Sequence, residues 1–231
     1  MSEGAQNSPT EKPRNWTAWL VPVVTVLPAL AILVVAWPRL ISGLAQDVAF
    51  PATAYMVADV PLPVRAYRQT AQALSLAPAS DGETQLMRAE AALRAGEPRA
   101  VVAPIAESAS SRAPADARGW IVLAEALQRS DPPRAAQALS VAIELAPREH
   151  FLVVPRLLAG APLWSYLPPE ARATLLDDAA ALVQDKNGLP DLLALLRVAG
   201  GPALVTRALK DHPDEIRALN RRLVRARLGL R

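Results

Sequence analysis

The chain has 231 residues, 52% of them hydrophobic and 20% charged, which is room for one membrane element plus one domain of ordinary size, or for two small domains. It has no cysteine and only two histidines, His150 and His212. Disulfides, thiolate zinc sites, iron–sulfur clusters, thioether-attached haem and histidine-rich metal centres are therefore excluded. The formal net charge is +3, and the excess sits at the ends: residues 214–231 carry six arginines against Asp214 and Glu215, whereas residues 46–213 carry 16 basic and 18 acidic side chains. No broad basic face results, so nucleic acid is not an expected partner.

Residues 1–14 are polar, lack periodicity and read as a disordered tail. Asn15 to Pro38 is a run of 24 residues without a charge. As a helix it covers about 36 Å at roughly 1.5 Å per residue, enough to cross a hydrocarbon core. Trp16 and Trp19 at one end and Trp37 at the other occupy the positions where indoles favour the water–lipid boundary. The run is longer than the apolar core of a cleaved signal peptide, and Arg39 interrupts the approach to the small-residue pattern Gly43-Leu44-Ala45. Lys12 and Arg14 before the span outnumber Arg39 after it, which predicts a cytoplasmic N-terminus and an exported C-terminal domain. In a bacterium that means a single-pass inner-membrane protein facing the periplasm.

Residues 39–63 read as a linker, and within it 46–63 as an extended connector, because prolines recur and no helical period is present. From Val64 the pattern turns helical, with Ala-rich faces at i, i+3, i+4 and i+7. Three helices end on a similar phrase at Ala77-Pro78, Ala113-Pro114 and Ala146-Pro147, with prolines 36 and 33 residues apart. That is the repeat length of two-helix units. In the best of them, Arg118 to Arg148, Trp120, Leu123, Ala124 and Leu127 form the first-helix pattern, Asp131 starts the turn, and Ala135, Leu139 and Ala142 alternate small, large and small before Pro147 closes the unit. This unit resembles a tetratricopeptide repeat. Residues 83–114 resemble it more weakly, through Leu86, Ala89, Leu93, Gly96, Val102, Ala106, Ala109 and Pro114, and Val64–Pro78 supplies a second helix alone. Ala124 stands where the family has Gly and Leu127 where it has Tyr. Small residues let neighbouring helices approach, and Trp120 reads as the plug between hairpins.

The expected fold is therefore all-α: one transmembrane helix, a tetratricopeptide-like hairpin stack over 64–150, and a helical C-terminal region over 151–231. That last region shows helical patterns at about 150–160, 168–184, 190–199, 201–211 and 213–228, either degenerate repeats or a cap on the open end of the stack.

No catalytic signature occurs: there is no Gly-x-Ser-x-Gly elbow and no Gly-rich phosphate loop after a strand. His150 reads as a helix-start residue and His212 as a helix C-terminus. Asp177 and Asp178 are adjacent, hence about 100° apart on a helix, and read as a solvated face rather than an acid/base pair. Glu90, Glu125 and Glu144 read as outer-surface residues. Arg217, Arg221, Arg222 and Arg225 make the last helix basic, a candidate contact for anionic lipid or an acidic polymer. The resemblance implies protein–protein recognition without catalysis. The expectation is a membrane-anchored scaffold or adaptor in a bacterial cell-envelope assembly, such as polysaccharide or envelope biogenesis, with no enzyme activity, cofactor, metal or small-molecule ligand. The alternatives are an accessory subunit of an inner-membrane complex (cytochrome maturation, secretion or pilus assembly), or an enzyme subunit using Glu144, Asp177 or Asp178.

Overall fold

The computed structural model describes residues 62–76, 81–185 and 187–228, together with single residues and short stretches between 26 and 56. All regular elements among the described residues are helical. The chain divides into two units, Met1–Ile41 and Ser42–Arg231.

In the first unit, Ile32–Trp37 is helical, and Val26, Leu30, Ile32 to Val35 and Trp37 are exposed. Trp16, Trp19 and most of the remaining 15–38 run lie outside the described residues. Among the described residues no helix is long and apolar enough to cross a membrane. The extended connector over 46–63 is corrected in part: its described residues from 47 to 56 are helical, whereas Leu62 and Pro63 are not. Ala49 and Thr53, four apart, are buried, and the Thr53 hydroxyl donates to the Phe50 carbonyl at 3.1 Å. A helix face made of such small side chains carries little apolar signal, which is why no period is visible in the sequence.

From Val64 the second unit continues as a run of short helices, α1 (Val64–Leu74), α2 (Gly82–Arg94), α3 (Arg99–Arg112), α4 (Ala117–Leu127) and α5 (Pro132–Leu145), each packed on the next, with α2 also touching α4. Asp carboxylates start three of them. Asp81 accepts from the Glu83 amide, Asp116 from the Arg118 amide at 2.9 Å and Asp131 from the Arg134 amide at 3.2 Å. The turn after α2 is a Schellman motif: Gly96 takes φ +76°, its amide bonds the Leu93 carbonyl, and the Glu97 amide bonds the Ala92 carbonyl. Between α3 and α4 the approach is close, since a Cβ on Gly119 would lie 3.3 Å from Ser110 Oγ.

Beyond α5 the alternation gives way to shorter pieces. A 3-10 turn at His150–Leu152 leads into α6 (Val153–Gly160), and a second at Ala161–Leu163 leads to a loop and α7 (Pro169–Gln184). Then come α8 (Leu189–Arg197), α9 (Gly201–Ala208) and α10 (Pro213–Leu228). Helix α6 packs on α4, α5, α7 and α8, so it joins the hairpins to the C-terminal helices. Gly160 makes that junction possible: a Cβ there would meet Leu139 Cδ2 of α5 at 3.1 Å and press still closer on Leu175 of α7. One apolar core runs from Leu86 to Leu219 across both regions.

Candidate docking groove and its surroundings

The repeat residues singled out in the sequence fall on two levels. Leu123, Ala124, Leu127, Ala135, Leu139 and Ala142 are buried between α4 and α5, while Pro147 is exposed after the end of α5. Trp120, read as a plug, packs against the core and also faces outward. It is half-buried in the first turn of α4, its indole N–H donates to the Pro114 carbonyl at 2.9 Å, and its ring lines an open groove.

That groove holds about 800 Å³ and is walled by α3, α4, α5 and the loop before α7. Its apolar lining includes Trp120, Leu123, Ala138, Val141, Tyr166, Leu167 and Pro168. Leu167 is fully buried and anchors the loop, whereas Tyr166 beside it is 52% exposed. The serine hydroxyls in the wall are used locally, while Gln137 is exposed there. Ser110 donates to the Ala106 carbonyl, Ser111 to that of Ser108 and Ser140 to that of Ala136, each at 2.9 Å. Arg134 pairs with Glu107. Gln137, Tyr166 and Arg134 are the polar groups left facing an otherwise apolar lining.

Next to the groove the same loop carries Trp164. Two guanidinium groups lie over its ring, that of Arg172 (α7) at 5.7 Å and that of Arg207 (α9) at 5.1 Å from the centroid. Arg172 also donates to the Ser165 carbonyl at 3.2 Å.

Below the groove, α6 and α7 are joined by a buried ion pair. Arg156 is fully buried and grips Asp178 with two N–H groups, Nε to Oδ2 at 3.0 Å and Nη2 to Oδ1 at 3.1 Å. Its Nη1 donates to the Ala146 carbonyl at the end of α5 at 2.5 Å. Burial pushes the Asp178 carboxyl up, and the Arg156 charge opposes that shift. The solvated-face reading holds for Asp177, which is exposed, and is corrected for Asp178. Glu144 is exposed, as its reading as an outer-surface residue expects.

Glu125 lies about 140° round α4 from Trp120. It is partly buried, within a charged belt in which Glu90 pairs with Arg118 at 3.3 Å and with Arg94 at 3.8 Å. Burial raises its carboxyl to about 7; Arg94 and Arg99 oppose the rise and Glu90 adds to it. The folded state thus keeps a proton that the unfolded chain releases near pH 4.5. Its contribution is full below that pH and disappears as pH rises through about 7. Glu125→Gln is expected to gain about 2 kcal/mol relative to the parent between pH 4 and pH 8, the partial exposure discounted. Urea unfolding of both proteins at the two pH values checks this.

The arginines of the last helix do not act as one set. Arg222 donates to the Val183 carbonyl at 2.7 Å and to the Asp185 carbonyl at 2.9 Å, so it caps the end of α7. Arg217 is exposed and pairs with Asp214, while Arg221 and Arg225 are exposed. His150 opens the 3-10 turn before α6. His212 is corrected from a C-terminal to an N-terminal place, since its carbonyl accepts the Glu215 and Ile216 amides that start α10. Among the described residues no group of three or more His, Asp or Glu side chains is placed to hold a metal ion.

Sequence reasoning passed over Arg156, Glu125 as a titrating group and Tyr166. For Tyr166 the sequence offers a local cue in Trp164-Ser-Tyr-Leu-Pro-Pro169, an aromatic pair just ahead of a proline-started helix. No family model matches the chain, and no curated protein or solved structure matches it either.

Proposed function

We propose that this chain is a non-catalytic adaptor that docks a segment of a partner protein in the groove beside Trp120 and Tyr166. In this reading the hairpins α2/α3 and α4/α5 form a tetratricopeptide-like stack, α6–α10 cap its end, and residues 15–38 anchor it in a bacterial inner membrane as part of a cell-envelope assembly. The observation that carries the reading is the groove: an open, mainly apolar surface whose serine hydroxyls bond their own helices and whose lining offers a half-exposed aromatic. Such a surface gains most by covering apolar area, as partner-docking surfaces do. The exposed apolar residues among 26–37 and the uncharged run around them support the anchor.

The test is site-specific photocrosslinking in cells, with a photoreactive phenylalanine at position 166 and, as a control, at the exposed Phe151. A discrete protein adduct is expected at 166, lost in Trp120→Ala, and absent at 151. No adduct at 166, or identical adducts at both positions, would sink the groove. The anchor is tested separately: the full chain is expected in the membrane pellet after an alkaline wash, and its appearance in the supernatant rejects residues 15–38 as a span.

A further inference from the structure

The collar around Trp164 indicates the kind of segment the groove takes. Arg172 and Arg207 come from different helices and converge on one indole, yet neither has a carboxylate within ion-pair distance among the described residues. Residues 161–168 and α9 contain no acidic side chain. In the first two turns of α7 the one carboxylate is Glu170, two residues from Arg172 and so about 200° round the helix. Arg172 Nε is shielded from solvent and its Nη2 is held by the Ser165 carbonyl, whereas the Arg207 guanidinium is exposed and makes no hydrogen bond among the described residues. A guanidinium stacked on an indole keeps its edge N–H groups free for an anion.

The collar and the groove share one loop. Trp164 and Tyr166 are two residues apart, hence within about 7 Å at Cα, and Arg172 holds the carbonyl of Ser165 between them. A segment lying over Tyr166 therefore reaches the two guanidinium groups with its next few residues. We propose that the partner segment carries apolar side chains followed by one or more Asp or Glu residues, the carboxylates docking on Arg172 and Arg207. This rests on the docking reading above and adds its charge specificity.

The probe is a random twelve-residue peptide library panned on the full chain in detergent, followed by affinity measurements on enriched peptides at low and high salt. Enriched sequences are expected to combine apolar residues with Asp or Glu. Arg207→Gln, at an exposed site, is expected to weaken an acidic peptide about five- to tenfold and to leave its Gln-substituted version unchanged. Tyr166→Ala is expected to weaken both. Enriched peptides that lack acidic residues, or an Arg207→Gln variant with unaltered affinity while Tyr166→Ala still weakens binding, overturn the charge assignment and leave the groove standing. Peptides that ignore Tyr166→Ala, or no enrichment at all, overturn the groove and the charge assignment together.

Discussion

Replacing Arg156 with Met is expected to lower the unfolding free energy by about 3–5 kcal/mol at pH 8, because it leaves the Asp178 carboxylate buried without its counter-charge. The loss is expected to be smaller at pH 5. Burial already pushes the Asp178 carboxyl up, and without the guanidinium it can take a proton and shed its charge. The folded state then binds more protons than the unfolded chain, so the stability of this variant falls as pH rises. Asp178→Asn behaves differently. Arginine does not give up its proton in this range, so its cost is of similar size at both pH values. A double variant, Arg156→Met with Asp178→Leu, is expected to recover most of the loss, since a buried pair is often replaceable by apolar groups of similar volume. Urea unfolding at pH 5 and pH 8 reads all three. Single variants costing under about 1 kcal/mol, or a double variant as unstable as the singles, would show that the pair does not hold α6 to α7 in this way.

Two glycines with almost the same backbone angle are expected to respond very differently to alanine. Gly96 has φ +76° and Gly200 φ +79°. Nothing lies within 4 Å of a Cβ built on Gly96, so Gly96→Ala incurs only the left-handed strain, about 1–2 kcal/mol. A Cβ on Gly200 would meet the backbone carbonyl of Ala161, 2.9 Å from its carbon and closer still to its oxygen. Backbone cannot swing aside as a side chain can, so overpacking adds to the strain and Gly200→Ala is expected to cost about 3 kcal/mol or more. For a unit of this size that is a fall of roughly 6–12 °C in Tm. Ala161 begins the turn that leads to Trp164 and Tyr166, so the same substitution displaces the groove's loop wall. Thermal unfolding of the two variants side by side checks the contrast, and equal losses would refute it.

Most of the helix boundaries in the second unit were legible in the sequence because the signals are local. Asp81, Asp116 and Asp131 sit where a carboxylate can reach the amides of its own first turn. Pro169, Pro190 and Pro202 stand in first turns, where the missing N–H costs little. The Ala and Leu positions at helical spacing turned out to be the buried ones, from Leu123 to Ala142 and again from Leu175 to Val183. The helical residues between 40 and 56 escaped because Ala49 and Thr53 contribute too little hydrophobicity to reveal a face.

By itself, then, the sequence determined that the second unit is built of short helices, where most of them start and stop, and which faces go inward, since capping, proline stereochemistry and apolar spacing act within a few residues. Only the tertiary structure decided the fate of the polar groups and the shape of the surface. Asp178 and Arg156 are 22 residues apart, Arg222 caps carbonyls 37 and 39 residues away, and Trp164 gathers arginines from two helices. Whether a charge is solvated, paired or left open, and whether Trp120 also lines a groove, depends on which segments the packed core brings alongside it.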